Sequence, residues 1–240
     1  MNYLAIETST EAFSVAIGTA QNLKSEFAVA PRKHGELLLP TITKLLDESS
    51  LSMSNIDCVV YGKGPGAFTG VRIAVSAAQG LAFGQSCPLI GISSLQNLAA
   101  QVFSENDLEY AWVTNDARMN EVYSGLYRKV ESDGLIWAEL VGQEVVIDPS
   151  LLALPEELSH GSWAAVGSGW KVYQESLAAH LVLATATFED CYPNAATALK
   201  LAAHPNATIW QHAVSEAVPS YLRNNVAAKS QKSSIIGADR

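Results

Sequence analysis

Glycines, hydroxyls and charges stand in this chain at spacings that could hold an anion. The run Gly64-Pro65-Gly66-Ala67-Phe68-Thr69-Gly70-Val71-Arg72-Ile73 follows a strand-like apolar stretch, Ile56 to Tyr61. It opens a helix-like stretch, Thr69 to Gly84. Glycines and a proline between strand and helix make a tight turn with exposed amides. Such amides, with the N-terminus of the next helix, can bind phosphate. Gly64 and Gly66 would form that cradle. The lysine and hydroxyl of a P-loop are replaced here by Val71-Arg72. A second reading uses the turn to place a helix for packing against another protein. Its small face, Gly70, Ala74, Ala77 and Ala78, lets a second helix come close. This interface reading is preferred. Phe68 would then be core or interface, and Arg72 would pair with a carboxylate or a partner group.

Glu7-Thr8-Ser9-Thr10 joins two strands and offers hydroxyls to a phosphate or to its own turn. Asp116-Ala117-Arg118 occupies a hairpin, where Arg118 could pair locally with Asp116 or Glu121, a surface pair that contributes little. Gly167-Ser168-Gly169-Trp170 with Tyr173 could approach an adenine or a sugar. The simpler reading, a strand-to-helix turn with an aromatic core residue, is favoured. His34 has Leu38 where a second histidine would complete an H-x-x-x-H pair, and Glu36 is on another helical face. No metal site is therefore assigned. His160, His180, His204 and His212 are scattered and are expected at the surface. No acid/base pair, nucleophile triad or full metal set can be assembled, so no catalytic residue is assigned.

The elements that must position these residues follow from hydrophobic periodicity. Tyr3 to Glu7, Phe13 to Gly18 and Leu23 to Ala30 read as three strands. Leu38, Ile42 and Leu45 recur at helical spacing, in a helix that Pro40 should start or kink. Strand 56–61, helix 69–84, strand 89–92 and helix 95–103 follow. Polar residues near 104 mark the expected boundary between units 1–103 and 104–224. In the second unit, 110–115 and 121–130 read as a hairpin, 136–141 and 164–167 as strands, and 151–158 and 195–203 as helices. Strand hairpins leading into helices occur twice, which points to two related halves and a mixed sheet flanked by helices. The last helix is expected to pack back on the first unit, and 225–240 to be a disordered tail.

Composition fits a globular α/β protein with a sizeable core: 240 residues, 48% hydrophobic and 16% charged. No apolar run reaches the roughly 18 residues of a membrane helix. An acid at Glu7 and no basic start argue against a signal peptide. Cys58, Cys87 and Cys191 have no C-x-x-C spacing, and a cytoplasmic location is expected. The net charge is −9, and 15 of the 24 acidic residues fall between 101 and 200. That charge repels a phosphate backbone. The basic residues near the end are Arg223, Lys229, Lys232 and Arg240.

Four segments together carry a family resemblance: 5–10, 64–73, Asp116-Ala117-Arg118-Met119-Asn120-Glu121-Val122-Tyr123, and Pro219-Ser220-Tyr221-Leu222-Arg223. In order and spacing they resemble the bacterial TsaB (YeaZ) family, over about 1–227. The resemblance implies a two-lobed actin-like ATPase fold (ASKHA, RNase H-like). It implies a non-catalytic partner of TsaD in tRNA threonylcarbamoyladenosine formation, with the small ATPase TsaE joining the complex. TsaD transfers threonylcarbamoyl from threonylcarbamoyl-AMP to an adenosine beside the anticodon. Nucleotide-binding actin-like proteins start the first phosphate turn with aspartate; here Glu7 stands there without a glycine. They carry an aspartate and glycines in the second hairpin; here Arg118 follows Asp116. The resemblance therefore implies no tightly bound cofactor, with ATP or ADP possible at the interface of the complex. The possible cleft residues are Glu7, Ser9, Thr10, Gly64, Gly66, Asp116 and Arg118. The expected partner surface is the two helices of the first lobe, through Leu38, Ile42, Leu45, Gly70, Arg72, Ala74, Ala77 and Ala78. Alone, the same patch could form a homodimer. tRNA would be reached only through the complex, and no membrane is involved. An actin-like ATPase or small-molecule kinase and, less favoured, a metallopeptidase remain the alternative classes.

Overall fold

The computed structural model describes residues 1–223. The expected disordered tail lies outside the described residues. β1 (Tyr3–Glu7), β2 (Ala12–Gly18) and β3 (Leu23–Val29) form a meander, followed by α1 (His34–Glu48). Then come β4 (Cys58–Gly64), α2 (Phe68–Gln85), β5 (Leu89–Ser93) and α3 (Ser94–Glu105). A second series follows: β6 (Tyr110–Arg118), β7 (Glu121–Ser132), β8 (Leu135–Ile147), β9 (Trp163–Val166), α4 (Ser168–Val172), α5 (Gln174–Leu181) and β10 (Ala186–Phe188). α6 (Ala195–Ala202) and β11 (Gln211–His212) are the last helix and strand among the described residues, apart from short 3-10 turns.

The two sheets share one plan. The first runs β11-β5-β4-β1-β2-β3 and the second β10-β9-β6-β7-β8. In each, a three-stranded antiparallel meander is extended from its first strand by two parallel strands. β11 adds an antiparallel edge to the first sheet alone. The duplicated order bears out the expected two-sheet, actin-like α/β fold.

Alternation along the strands sorts side chains into layers. Leu4, Ile6, Val15, Ile17 and Tyr61 face α1 and α2. Tyr3, Ala5, Ala16 and Val60 face the opposite way, into a core with Leu98 of α3, Leu199 of α6 and Val113 and Val166 of the second sheet. The outer face of the second sheet carries Trp112 and Trp163, covered by Trp170 of α4 and Leu177 of α5. The order of layers is helices, sheet, helices, sheet, helices. Because both faces of β1 and β2 are covered, every residue of those strands is buried.

α3 and α6 are capped and cross-linked between the sheets. Ser93 Oγ accepts the amide hydrogens of Leu95 and Gln96, and Asn194 Oδ1 accepts that of Thr197. Asn97 exchanges two bonds with the Asn194 backbone, at 2.8 and 3.0 Å.

Three expectations change. α1 starts at His34, so Pro40 lies inside the helix rather than at its start; proline removes one backbone donor there, and its exposed position leaves the ring in solvent. The expected helix 151–158 is instead two short 3-10 turns, Pro149–Leu151 and Glu156–Ser159, with Pro155 between them. α5 is an unexpected helix, with Leu177 its one buried residue.

Candidate functional site

The four signature segments converge where the two sheets meet. A cavity of about 340 Å³ is lined by Ser9 and Thr10 of the β1–β2 turn, Gly66 of the β4–α2 turn, Asp116 and Arg118 of the β6–β7 hairpin, and Ser168. The structure thus brings five of the seven expected cleft residues together. Glu7 and Gly64 do not line the cavity. Gly64 (φ 87°) packs against Val71 behind the turn. The Glu7 side chain is 1% exposed and lies under its own turn, where Oε1 accepts the Ser9 amide hydrogen at 2.7 Å. Oε2 is buried with no hydrogen-bond partner among the described residues. Burial pushes the Glu7 carboxyl upward, against the lowering effect of Ser9.

Several polar groups of these turns are engaged within the chain. Ala67 N–H donates to Ser9 O at 2.7 Å, and Thr8 Oγ1 donates to Gly70 O at 2.7 Å. Ser9 N–H goes to Glu7, Ser168 N–H to Asn115 Oδ1 and Gly167 N–H to Phe188 O. The glycines of the second segment serve this contact. A Cβ on Gly66 would sit 2.3 Å from Ser9 O, and one on Gly70 2.0 Å from Thr8 O. They permit turn to pack on turn.

The hairpin carries its own pairing. Asp116 Oδ1 accepts from the Arg118 amide at 2.8 Å and from Tyr173 Oη at 3.1 Å. Arg118 reaches Asp116 at 3.0 Å and Glu11, on the β1–β2 turn, at 3.3 Å. Its side chain is 75% exposed, so these pairs contribute little to stability. Arg118, Met119 and Asn120 all have positive φ, at 62°, 58° and 58°. The last segment straps this hairpin down. Ser220 N–H donates to Lys63 O at 2.7 Å, and Arg223 binds the Glu121 carboxylate and the carbonyls of Ala117 and Arg118. Arg223, grouped by sequence with the basic tail, is therefore an internal clamp.

The expected partner surface needs correction. Leu38, Ile42, Leu45, Gly70, Ala74 and Ala78 are buried in the chain's own core beneath the first sheet. The small residues of α2 allow helix to approach sheet. Ala77 is half-buried and Arg72 exposed. The outward face of α2 carries Ile73, Ala77, Gly80 and Gly84, and no atom lies within 4 Å of a Cβ built on either glycine. Phe83, 78% exposed, stands beside them, and Leu39 is exposed on α1.

Of the histidines expected at the surface, His160 is exposed and His204 is not. His34 is buried, and its Nε2–H donates to Ala12 O at 3.2 Å. His204 is 1% exposed and stacks on Trp137 at 5.5 Å. Among the described residues no group of three or more His, Cys, Asp or Glu could hold a metal ion. Trp170 is fully buried, its Nε1–H donating to Trp112 O at 3.1 Å, so the Gly167–Trp170 string is a structural turn. Sequence reasoning missed one polar group: Glu144 Oε1 accepts from both Ser93 Oγ and Tyr127 Oη. No local spacing announces residues 51 positions apart.

The family model of tRNA N6-adenosine threonylcarbamoyltransferase, TsaD, matches residues 28–232. The chain is 37% identical to the tRNA threonylcarbamoyladenosine biosynthesis protein TsaB of Escherichia coli K12, over 95% of this chain and 97% of that one. This chain belongs to the TsaB family. The Haemophilus influenzae TsaB is 35% identical, over 95% of this chain and 96% of its own. YeaZ from Pseudomonas aeruginosa superposes with a TM-score of 0.79 at 36% identity, covering 92% of this chain and 99% of that one. No helix among the described residues is long and apolar enough to cross a membrane.

Proposed function

We propose that this chain is a non-catalytic accessory subunit in tRNA threonylcarbamoyladenosine formation, which binds and supports TsaD. The observation that carries the reading is the Ala67–Ser9 and Thr8–Gly70 pairing: the turns that hold phosphate in an actin-like enzyme hold each other here. A fold that keeps two lobes but fills its phosphate turns is suited to presenting a surface. That surface is the outward face of α2, with Ala77, Gly80 and Gly84 letting a partner helix approach closely and Phe83 as an apolar anchor. TsaE joins the assembly, and any ATP or ADP it holds is assigned to a shared interface rather than this cleft. The acidic middle of the chain leaves tRNA contact to the complex, in the cytoplasm. The same face could pair two copies when the partner is absent.

Reconstitution tests the function. TsaD, TsaE, the threonylcarbamoyl-AMP synthase, unmodified tRNA, ATP, bicarbonate and labelled threonine are combined with and without this chain. Label should enter tRNA only when the chain is present; equal transfer without it overturns the proposal. Gly80→Arg should abolish TsaD binding with an unchanged circular dichroism spectrum. Micromolar binding of Mg-ATP by the isolated chain, with turnover, would favour the ATPase reading instead.

A further inference from the structure

The exposed cation at the start of α2 is held in place without a counter-charge. Arg72 lies with its guanidinium carbon 3.5 Å from the centroid of the Phe68 ring. Its Nε–H donates to Tyr221 Oη at 2.9 Å. Phe68 and Tyr221, both about half exposed, stand 6.0 Å apart, with the guanidinium stacked on the first ring and 5.9 Å from the second. Among the described arginines, Arg118, Arg128 and Arg223 each pair with a carboxylate, whereas Arg72, like Arg32, does not. For Arg72 no carboxylate lies within ion-pair distance among the described residues, and neither Nη group has an acceptor there. Stacking and the tyrosine hydroxyl fix the plane of the group and leave its Nη edge free. That edge is the fork that takes a carboxylate through two parallel bonds. An arginine stacked on one half-exposed aromatic ring and bonded to the hydroxyl of a second has the composition of an interface anchor.

We propose that Phe68, Arg72 and Tyr221 form a preorganised dock for an acidic side chain of the protein partner. The inference rests on the proposed binding to TsaD. It assigns to that contact a carboxylate seated on Arg72, beside the apolar face of α2. A carboxylate fits better than a nucleic-acid phosphate because the rest of the chain is acidic, with a net charge of −9. The strap matters because Tyr221 holds the guanidinium ready, so order is not lost on binding.

Calorimetric titration of TsaD with the full chain tests this at low and moderate salt. Arg72→Gln should weaken binding on the order of tenfold to a hundredfold and reduce its salt dependence. Arg72→Lys should recover only part, because lysine lacks the fork. Tyr221→Phe should weaken binding severalfold while leaving the charge in place. Each variant's thermal unfolding is measured alongside; Arg72 is exposed, so its substitution should leave the fold intact. If wild type binds TsaD and Arg72→Gln binds equally well, this inference falls and the accessory reading stands. If wild type does not bind TsaD, both fall. Loss of tRNA retention by an otherwise intact complex would assign a phosphate to Arg72 and overturn the dock. So would a change confined to self-association of the chain alone, which would place the carboxylate on a second copy.

Discussion

The amide of Ala67 donates to the carbonyl of Ser9 across 2.7 Å, joining the two turns that flank the mouth of the cleft. With the Thr8–Gly70 bond beside it, the first strand hairpin and the head of α2 become one rigid piece. The glycines of this region answer to that closeness.

Gly66→Ala and Gly70→Ala should therefore destabilise the chain by about 2–3 kcal/mol each, since backbone oxygen stands where the methyl must go. Gly80→Ala meets open space inside a helix and should stabilise by about 0.5–1 kcal/mol. Urea unfolding of the three variants checks both signs in one series.

Arg223→Ala should loosen the strap and the hairpin together. It removes the pair with Glu121 and the bonds to the Ala117 and Arg118 carbonyls. Partial exposure screens the pair, so a loss of about 1–2 kcal/mol is expected. Hydrogen exchange should rise at the Arg118–Asn120 turn, whose positive φ values need holding in place. Unchanged exchange there would refute the clamp.

Glu7 is raised above its ordinary carboxyl range by burial. The folded chain holds that proton at pH values where the unfolded chain has released it. This contribution to stability is fully present below the unfolded value and is lost as pH rises through the folded one. Glu7→Gln, which mimics the neutral acid, should gain stability relative to wild type as pH rises toward neutrality. The difference should vanish in acid. A thermal-unfolding series across pH reads this directly.

His204 carries the opposite sign. Its Nδ1 accepts the Asn206 amide hydrogen at 3.1 Å, so protonation there breaks a bond, and burial lowers its affinity for a proton. The stability tied to the neutral ring is present above the unfolded pKa and is lost as pH falls through the folded one. His204→Asn keeps an acceptor but does not titrate. It should lower the melting temperature by losing the Trp137 stack, yet flatten its fall with acid. A slope as steep as wild type would assign that fall to other groups.

The sequence made most strands and α2 legible because each carries a single periodicity bounded by turn residues. The direction in which α2 faces was not legible. Gly70, Ala74 and Ala78 are small because a sheet comes close, and a partner helix would ask for the same residues. Sequence spacing alone does not say which neighbour made the demand. Ala74→Arg and Ala78→Glu would accordingly disrupt the core and not merely a docking surface. α5 escaped notice because only Leu177 of its eight residues is buried, too little for a periodic signal. The clustering of Ser9, Gly66, Asp116 and Arg118 was legible only through the family resemblance; their segments lie at the ends of β1, β4 and β6, interior strands that no local spacing brings together.

The packing of α6 and β11 on the first sheet has a consequence for synthesis at the ribosome. The underside of β1, β2 and β4 is ready when α3 is made, yet one of its covering helices begins at Ala195. At about 5–20 residues per second, an emerging chain shows that apolar face for roughly 5–20 s before α6 arrives. Nascent chains should engage holding chaperones during that interval and release them once α6 has left the exit tunnel.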